Sequence, residues 1–379
     1  MIPAGNAPEA TAVHEVLAGS TGGAGSTGGT DGTDGAGGAG GAVGAGSVGS
    51  AAGVAALAGI VRAALVHDAA EAADLVARLA DPPADRRWTA LVTRDLNGVV
   101  FASVSGRDPR VGHVDLLAVH PAAQGAGLGR ALLVAAEEWL SDRGATEVRL
   151  AGNPPCYAWP GIDVRYTPAV CLAESLGYRR YHVAVNMTAD LAGSLTGDRP
   201  TDLATDPATG LAADLSADAG LARLEERGIT VHAAAPGDRA AVRAFVTEQW
   251  HAGWAWEAER ATGCHYALRE GEILGFASWG ARPAWFGPMG TASAARGLGV
   301  GGVLMRRCLA EQRAAGLTSV QIGWAGPLRF YSRALGAYAE RVFWLYRRDL
   351  PREAPAGGTD PATNSTKDPL TGLRRGRRP

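Results

Sequence analysis

The chain has only four cysteines among its 379 residues and almost no lysine. Cys156, Cys171, Cys264 and Cys308 form no C-x-x-C pair and have no histidine at a metal-ligand spacing. This argues against a disulfide framework and against a metal site, and it favours free thiols in a reducing compartment. Lys367 is the only lysine, so arginine supplies almost all of the positive charge.

Long apolar runs are also missing. No stretch of 18 apolar residues is present, which excludes a transmembrane helix, and the N-terminus lacks the charged and apolar regions of a signal peptide. The formal net charge is −2, which argues against a general binder of nucleic acid or of membrane surfaces. We therefore expect a cytoplasmic protein with neither partner. The oligomeric state stays open.

The chain is long enough for two domains, and its composition divides it accordingly. Residues 1–52 are rich in Gly, Ala, Ser and Thr and are predicted to be disordered, because they bury too little apolar surface. Residues 191–228 have the composition of a linker, and residues 351–379 that of a disordered tail ending in arginines. Two folded domains, 53–190 and 229–350, remain.

The two domains begin alike. In the first, a strand is predicted over Ile60–Val66, and Asp68 then caps a helix over Ala69–Leu79. In the second, a strand over Ile229–Ala233 precedes a helix that begins after Asp238.

Each domain then contains a predicted β-hairpin, with turns at Asn97-Gly98 and at Glu270-Gly271. The second strand of each hairpin carries Phe-Ala-Ser. These triplets are Phe101-Ala102-Ser103 and Phe276-Ala277-Ser278. Repetition of both order and sequence indicates a duplicated domain.

The motif [Q/R]-x-x-G-x-G follows in both domains, from Gln124 to Gly129 and from Arg296 to Gly301, between a strand and an amphipathic helix. The glycines let the backbone approach a bulky anion, toward which the first N–H groups of the helix point. A pyrophosphate suits such a corner. The dinucleotide-binding fingerprint needs G-x-G-x-x-G and a following acidic residue, and neither copy provides them.

The order of a strand, this motif, a helix, a strand and a helix ending in Leu-Gly-aromatic resembles the GNAT superfamily of acetyl-CoA-dependent N-acetyltransferases. The resemblance covers residues 54–190 and 229–350. It implies an α/β (α+β) architecture of two tandem GNAT domains, each with a mixed, mainly antiparallel central sheet flanked by helices. It also implies acetyl-CoA as cosubstrate and no metal.

In this family the strand before the motif diverges from its neighbour, and pantetheine lies in the gap. The resemblance implies that the backbone of these strands bonds pantetheine and that the two motifs hold the pyrophosphate. The strand residues are Leu117, Ala118, Val119, Met289, Gly290 and Thr291. The motif residues are Gln124, Gly125, Ala126, Gly127, Leu128, Gly129, Arg130, Arg296, Gly297, Leu298, Gly299, Val300, Gly301 and Gly302.

The last helix of the family often carries a tyrosine that protonates the leaving thiolate. By resemblance Tyr331 takes that place in the second domain, whereas Ala173 occupies it in the first. A side chain without a proton cannot act as a general acid, so the second domain is predicted to be catalytic and the first impaired. The candidates for the general base are Glu257, Glu259, His265 and His251. A water chain is the alternative.

The first domain carries an insertion over residues 152–166 that is rich in proline and aromatic residues. Such loops suit a polar ligand. The alternative is that the loop buttresses the interface between the domains. The insertion is similar to tandem GNAT proteins that acetylate glucosamine or glucosaminides. The layout is also like that of mycothiol synthase, which lacks this loop. The predicted substrate-binding residues are Tyr157, Trp159, Asp163, Arg165, Tyr166 and Trp324.

The function expected is transfer of an acetyl group to the primary amine of a small molecule, best matched by an aminosugar, through direct attack on the thioester. An alternative acceptor is the amine of a protein, a peptide or a polyamine. An alternative of another class is a non-catalytic sensor or scaffold that binds coenzyme A.

Overall fold

The computed structural model describes residues 13–19, 51–191 and 220–351, which form two repeats. The first repeat comprises β1 Val13–Gly19, α1 Ala51–Ala64, α2 Ala72–Ala80, β2 Trp88–Thr93, β3 Gly98–Val104, β4 Val111–Val119, α3 Leu128–Ser141, β5 Glu147–Leu150, β6 Ile162–Asp163, α4 Thr167–Ser175 and β7 Arg179–Asp190. The second comprises α5 Leu221–Glu225, β8 Thr230–Ala233, α6 Arg239–Gln249, α7 Ala252–Arg260, β9 Gly263–Arg269, β10 Glu272–Trp279, β11 Trp285–Thr291, α8 Val300–Ala314, β12 Ser319–Ile322, α9 Leu328–Leu335 and β13 Tyr338–Asp349.

The strands of both repeats join in one continuous sheet. Its order is β1-β2-β3-β4-β5-β13-β7-β12-β11-β10-β9-β8, with β6 paired to β13. The pairs β4–β5 and β11–β12 are parallel, and the other neighbours are antiparallel. The predicted mixed, mainly antiparallel architecture with flanking helices is confirmed.

The last strands of the two repeats are exchanged. Strand β13 of the second repeat lies between β5 and β7 of the first, and β7 of the first lies between β13 and β12 of the second. Tyr346–Asp349 pair with β5, while Ser319–Ile322 of β12 pair with β7. Each half of the sheet is therefore completed by a strand from the other repeat.

Helices cover both faces of the sheet, as alternation along β3 requires. Phe101 belongs to the same buried cluster as Leu57 of α1, whereas its neighbour Val100 belongs to the cluster that contains Leu132 of α3. The second repeat has the same arrangement, with α8 on one face and α6 and α7 on the other.

The strand predicted over Ile60–Val66 is wrong, because these residues lie at the end of α1 and just after it. The buried residues Leu57, Ala58, Ile60 and Val61 follow the spacing of a helical face rather than the alternation of a strand. The second repeat behaves as predicted, with β8 over Thr230–Ala233 and α6 beginning after Asp238.

The first strand of the first repeat is β1, which lies far upstream of α1. It pairs antiparallel with β2, just as β8 pairs with β9 at the other edge of the sheet. The prediction of disorder is therefore wrong for Val13–Gly19, which form a strand that pairs with β2 through the main chain. Residues 1–12 and 20–50 lie outside the described residues, as do 192–219 and 352–379.

Both predicted hairpins are present, as β2–β3 and β9–β10. Among the described residues, no helix combines the length and apolar character needed to cross a bilayer.

A buried arginine ties β13 into the first repeat. The Nε atom of Arg341 lies 2.8 Å from Asp163 Oδ2, and its Nη1 lies 2.8 Å from Asp68 Oδ1. Its guanidinium also stacks 3.9 Å from the ring centroid of Trp159. Tyr166 donates a hydrogen bond to Asp68 Oδ2 at 2.7 Å. One side chain of the exchanged strand thus holds two segments of the other repeat.

We expect Arg341→Ala to lower the free energy of unfolding by about 3–5 kcal/mol, since it leaves the buried carboxylate of Asp68 without its ion-pair partner. Urea denaturation followed by circular dichroism measures this. Arg347→Ala on the same strand is the control. Its partner Glu147 is 3.7 Å away and its side chain is half exposed, so the loss should not exceed about 1 kcal/mol. Equal losses for the two variants would contradict the role given to Arg341.

Candidate active site

Two glycine-lined corners lie at corresponding places in the two repeats. Helix α3 begins at Leu128 after Gly127, which has a φ of 84°, and α8 begins at Val300 after Gly299, with a φ of 93°. Gly125 and Gly297 also have positive φ, a conformation that favours glycine. A Cβ built on any of these four glycines meets nothing within 4 Å. Each corner therefore exposes helix N–H groups to an open approach, as a pyrophosphate requires.

The strands that precede these corners diverge from their parallel neighbours. Strand β4 pairs with β5 over Val111–His113, and β11 pairs with β12 only through Trp285 and Phe286. Beyond these residues both strand pairs separate and leave main-chain groups facing a cleft. This geometry fits the gap predicted for pantetheine.

The cleft of the first repeat, called the N-terminal cleft below, has a volume of about 110 Å³. Its lining includes Leu117 and Ala173, so the position predicted for the proton donor holds a buried methyl group. Trp159 forms another part of the wall and packs behind it against Phe343, with ring centroids 5.9 Å apart. The rest of the lining is mainly apolar, with Asp115, Asp163 and Tyr166 as its polar members.

A larger cavity of about 540 Å³, called the central pocket below, lies between the two repeats. Both repeats contribute aromatic and basic side chains, and the second repeat also contributes the acidic Glu257. The lining includes Ser105, Arg107, His113, Arg149, Asn153, Tyr157, His251, Trp254, Glu257, Arg282, Trp285, Met289, Trp324 and Tyr331. A volume of this size accommodates a small organic molecule.

Tyr331 lies on α9 and faces the central pocket, with 7% of its surface exposed. Its ring contacts Phe286 and Phe330 edge to face. Burial raises the pKa of Tyr331 to about 12, so the hydroxyl keeps its proton at neutral pH. Tyr331 therefore offers a protonated hydroxyl to the central pocket.

Glu257 on α7 is the acidic residue of the pocket wall. Its Oε1 lies 3.1 Å from Arg78 Nη2, which comes from α2 of the first repeat. Burial raises the pKa of Glu257, and the charges of Arg78 and Arg282 oppose that shift. A carboxylate with a raised pKa in this place is suited to accept a proton from an ammonium group.

His251 also lines the pocket, but its ring is arranged as a donor. Its Nδ1 accepts the backbone N–H of Trp254 at 3.2 Å, and burial lowers its pKa. The ring is therefore neutral with its proton on Nε2, which can donate a hydrogen bond but has no free site to take a proton.

The two other predicted bases lie elsewhere, and neither lines the central pocket. Glu259 is exposed on the outer side of α7, 3.7 Å from Arg243. His265 is buried on β9, with Nε2 2.8 Å from Glu311 Oε1 on α8. The turn of α7 explains the first case, since residues two apart on a helix do not share a face.

The insertion passes between the repeats, and arginines bind its carbonyl oxygens. Arg86 donates to the carbonyls of Asn153, Pro154 and Cys156 at 2.6–2.7 Å. Arg282 donates to those of Tyr157 and Ala158, and Arg78 to that of Pro155. These arginines are distant from the loop along the chain, and no motif marks them, so the sequence analysis missed them.

Different parts of the insertion therefore face different cavities. Tyr157 and Trp324 line the central pocket, with ring centroids 5.7 Å apart. Trp159, Asp163 and Tyr166 line the N-terminal cleft instead. Arg165 lines neither cavity and binds Asp163, its Nη2 lying 2.7 Å from Oδ2. The structure thus brings two of the six predicted substrate residues to the central pocket.

Of the strand residues predicted to bond pantetheine, Leu117 and Met289 line the two cavities. Ala118, Val119, Gly290 and Thr291 are the residues that follow them on β4 and β11. In the first motif, Gln124 Nε2 donates to the carbonyl of Val119 at 3.0 Å, which braces the corner against its strand.

Asp115 in the N-terminal cleft was not anticipated from the sequence. A register shift between β3 and β4 places it in a bulge. Ser103 Oγ donates to Asp115 Oδ2 at 2.5 Å, and Asn153 Nδ2 donates to the same Ser103 oxygen at 2.8 Å. Oδ1 is buried and bonds no described residue. Burial raises the pKa of Asp115 to about 7.

Comparison with protein families finds one model, the acetyltransferase (GNAT) family, matching residues 62–158 and 232–337. The chain is similar to the mycothiol acetyltransferase of Thermomonospora curvata, with 37% identity over 112 residues, which are 30% of this chain and 34% of that protein. Similarity to the mycothiol acetyltransferase of Kocuria rhizophila reaches 40% over 81 residues, 21% of this chain and 23% of that protein. The matches span about a third or less of these relatives.

Solved structures share the fold over most of the described chain. The glucosamine N-acetyltransferase region of a fungal multi-domain β-N-acetylglucosaminidase gives a TM-score of 0.60 at 17% identity, covering 78% of this chain and 37% of that one. A tandem GNAT protein from the clavulanic acid biosynthesis pathway gives 0.56 at 18% identity, covering 79% of this chain and 96% of that one. At these identities the likeness concerns the fold alone.

The pKa of Asp115 makes a prediction about stability. An unfolded aspartate has a pKa of about 3.9, so the native state binds the proton more tightly and stability falls as pH rises from about 4 to 7. We expect Asp115→Asn to remove roughly 2–4 kcal/mol of that fall. Urea denaturation of both proteins at pH 5 and pH 8 measures it. The exposed substitution Asp142→Asn should leave the pH dependence unchanged, and the same result for Asp115→Asn would contradict the assignment.

Proposed function

The chain belongs to the acetyltransferase (GNAT) family, and we propose that it is an acetyl-CoA-dependent N-acetyltransferase whose reaction takes place in the central pocket. The observation that carries the proposal is the contrast between the repeats. Tyr331 presents a protonated hydroxyl to the central pocket, whereas Ala173 presents a methyl group to the N-terminal cleft.

The second repeat has the features needed to hold the cosubstrate. The corner from Arg296 to Gly302 offers backbone N–H groups to the pyrophosphate, and the main chain of β11 beyond Phe286 is free of β12 to bond pantetheine. Met289, on this part of β11, lines the central pocket. Acetyl-CoA supplies the activated acetyl thioester when bound there.

Two side chains of the pocket then accept and donate the protons of the reaction. Glu257 accepts the proton of the attacking ammonium group, either directly or through a water molecule, which leaves a free amine to attack the thioester carbonyl. The new C–N bond replaces the C–S bond. Tyr331 donates its proton to the departing sulfur, and the proton lost by the amine balances the one that the sulfur gains.

The acceptor we propose is an aminosugar of the glucosamine type. Tyr157, Trp254, Trp285 and Trp324 give the pocket apolar ring faces of the kind that pack against a sugar ring, and Asn153 and Ser105 give it polar groups for hydroxyls. The names of the similar proteins, a glucosamine N-acetyltransferase region and mycothiol acetyltransferases, agree with this choice.

The N-terminal cleft has a different role in this proposal. Its corner from Gln124 to Arg130 has the same backbone geometry as its counterpart, so we propose that it binds coenzyme A. It lacks both a proton donor at Ala173 and room for an amine beside Trp159.

We expect Tyr331→Phe to lower kcat about 10–100-fold while the KM for acetyl-CoA changes less than about twofold, because the hydroxyl acts on the leaving sulfur. Release of free thiol measures both constants. Tyr338→Phe is the control, since Tyr338 is exposed on β13 and lines neither cavity. Equal kcat for Tyr331→Phe and the unchanged protein would remove Tyr331 from the mechanism.

The acceptor class is tested by thiol release from acetyl-CoA with a panel of glucosamine-type amines, amino acids, polyamines and peptides. We expect the highest kcat/KM with a glucosamine-type amine, because aromatic side chains line the pocket. Faster release with peptides or polyamines would overturn the aminosugar assignment and leave acetyl transfer intact. No release with any amine, despite binding of acetyl-CoA, would favour a non-catalytic coenzyme A binder.

A further inference from the structure

Two arginines of the first repeat, Arg107 and Arg149, line the central pocket. The second repeat contributes a third arginine, Arg282, and the acidic residue of the lining, Glu257. Outside the lining, Arg78 pairs with Glu257 and Glu147 pairs with Arg149. Arg78 and Glu147 carry opposite charges, so together they leave the positive excess of the lining residues unchanged.

Two of the histidines that line the pocket, His113 and His251, favour the neutral form. Burial lowers the pKa of His113 to about 4, and its Nδ1 lies 2.9 Å from the carbonyl oxygen of Ala151, to which it donates. Burial also lowers the pKa of His251. Neither ring offsets the charge of the arginines, so arginine dominates the electrostatics of this part of the pocket.

The arginines differ in how far their donors are used. Arg282 is buried and donates to the carbonyls of Tyr157 and Ala158, so it holds the insertion in place. Arg149 uses Nε for Glu147 Oε1 at 2.5 Å, and its two Nη atoms donate to no described residue. The guanidinium of exposed Arg107 bonds no described residue either. Two guanidinium groups on one wall are therefore available to a ligand.

We infer that the acceptor carries an anionic group, a phosphate or a carboxylate, which Arg107 and Arg149 bind on the wall formed by the first repeat. Guanidinium groups bind such anions through paired, charge-assisted hydrogen bonds. This inference rests on the proposed function and narrows its acceptor from aminosugars in general to acidic aminosugars. It gives the first repeat a part in selecting the acceptor, while Tyr331 and Glu257 of the second repeat act on the reacting groups.

The same charges help the reaction. A positive excess around the pocket disfavours an ammonium ion, so it lowers the pKa of a bound acceptor amine and raises the fraction that can attack. An anionic group bound at Arg107 and Arg149 offsets the cost of bringing a cationic amine into such a pocket. An amine without an acidic group, such as glucosamine, has no such compensation.

Three aminosugars form a matched test on the full chain: glucosamine, glucosamine 6-phosphate and muramic acid, which carry no acid, a phosphate and a carboxylate. Calorimetry in the presence of saturating coenzyme A gives their dissociation constants without requiring turnover. We expect one or both acidic sugars to bind at least about tenfold more tightly than glucosamine, with the preference decreasing as salt rises. The acidic sugar with the lower dissociation constant shows whether the arginines prefer a phosphate or a carboxylate.

Arg107→Gln should reduce this preference several-fold, and Arg107→Gln with Arg149→Gln should abolish it. Arg94→Gln is the control. Arg94 is also exposed and lines neither cavity, and this substitution removes the same charge. Because Arg149 also binds Glu147, thermal melting of the double variant checks its fold, and the exposed Arg107→Gln variant alone still decides the point. Affinities equal for the three sugars, binding of none of them, or a preference that survives both substitutions would overturn the inference.

Turnover separates this result from the proposed function. If an acidic sugar binds more tightly but no sugar releases thiol from acetyl-CoA, the ligand inference stands and the proposed reaction fails. If all three sugars are acetylated with equal kcat/KM, the reaction stands and the anionic subsite does not exist.

Discussion

The antiparallel pairing of β7 with β13 is the interaction on which the rest of this structure depends. It lies at the centre of the sheet, and each of the two strands continues outward to the half formed by the other repeat. Main-chain hydrogen bonds therefore join the repeats across the centre of the sheet. Because the relative position of the halves is set by this ladder, a pocket with walls from both repeats keeps a defined shape.

Arginine completes what the strand pairing begins. Arg341 on β13 reaches Asp68 and Asp163 of the first repeat, and Arg78 reaches from the first repeat to Glu257 of the second. Arg86 and Arg282 bind the carbonyls of the insertion, which has no regular backbone partners of its own across residues 153–158. A guanidinium group has five donors in a fixed plane, so it can satisfy several buried carbonyls at once.

Local sequence was enough to predict the repeat, the hairpins and the two glycine corners, because turns, caps and strand alternation depend on neighbouring residues. It also singled out Tyr331, which lines the central pocket. It failed for the opening of the first repeat, where β1 is separated from α1 by a long glycine-rich stretch and the helical face of Leu57 and Ile60 was taken for a strand. It did not separate Glu257 from Glu259, since which face of α7 meets a cavity depends on what packs against that helix.

By itself, then, the amino-acid order determined a duplicated α/β domain with two glycine-lined corners at the starts of α3 and α8. Only the tertiary structure decided that the final strands change places, that Tyr157 and Trp159 of one loop face different cavities, and that Arg107 and Arg149 share a pocket with Tyr331. The physical reason is the range of the interactions. Turns and caps act over a few residues, whereas the exchange and the shared pocket arise from hydrogen bonds and packing between segments that are distant in the sequence.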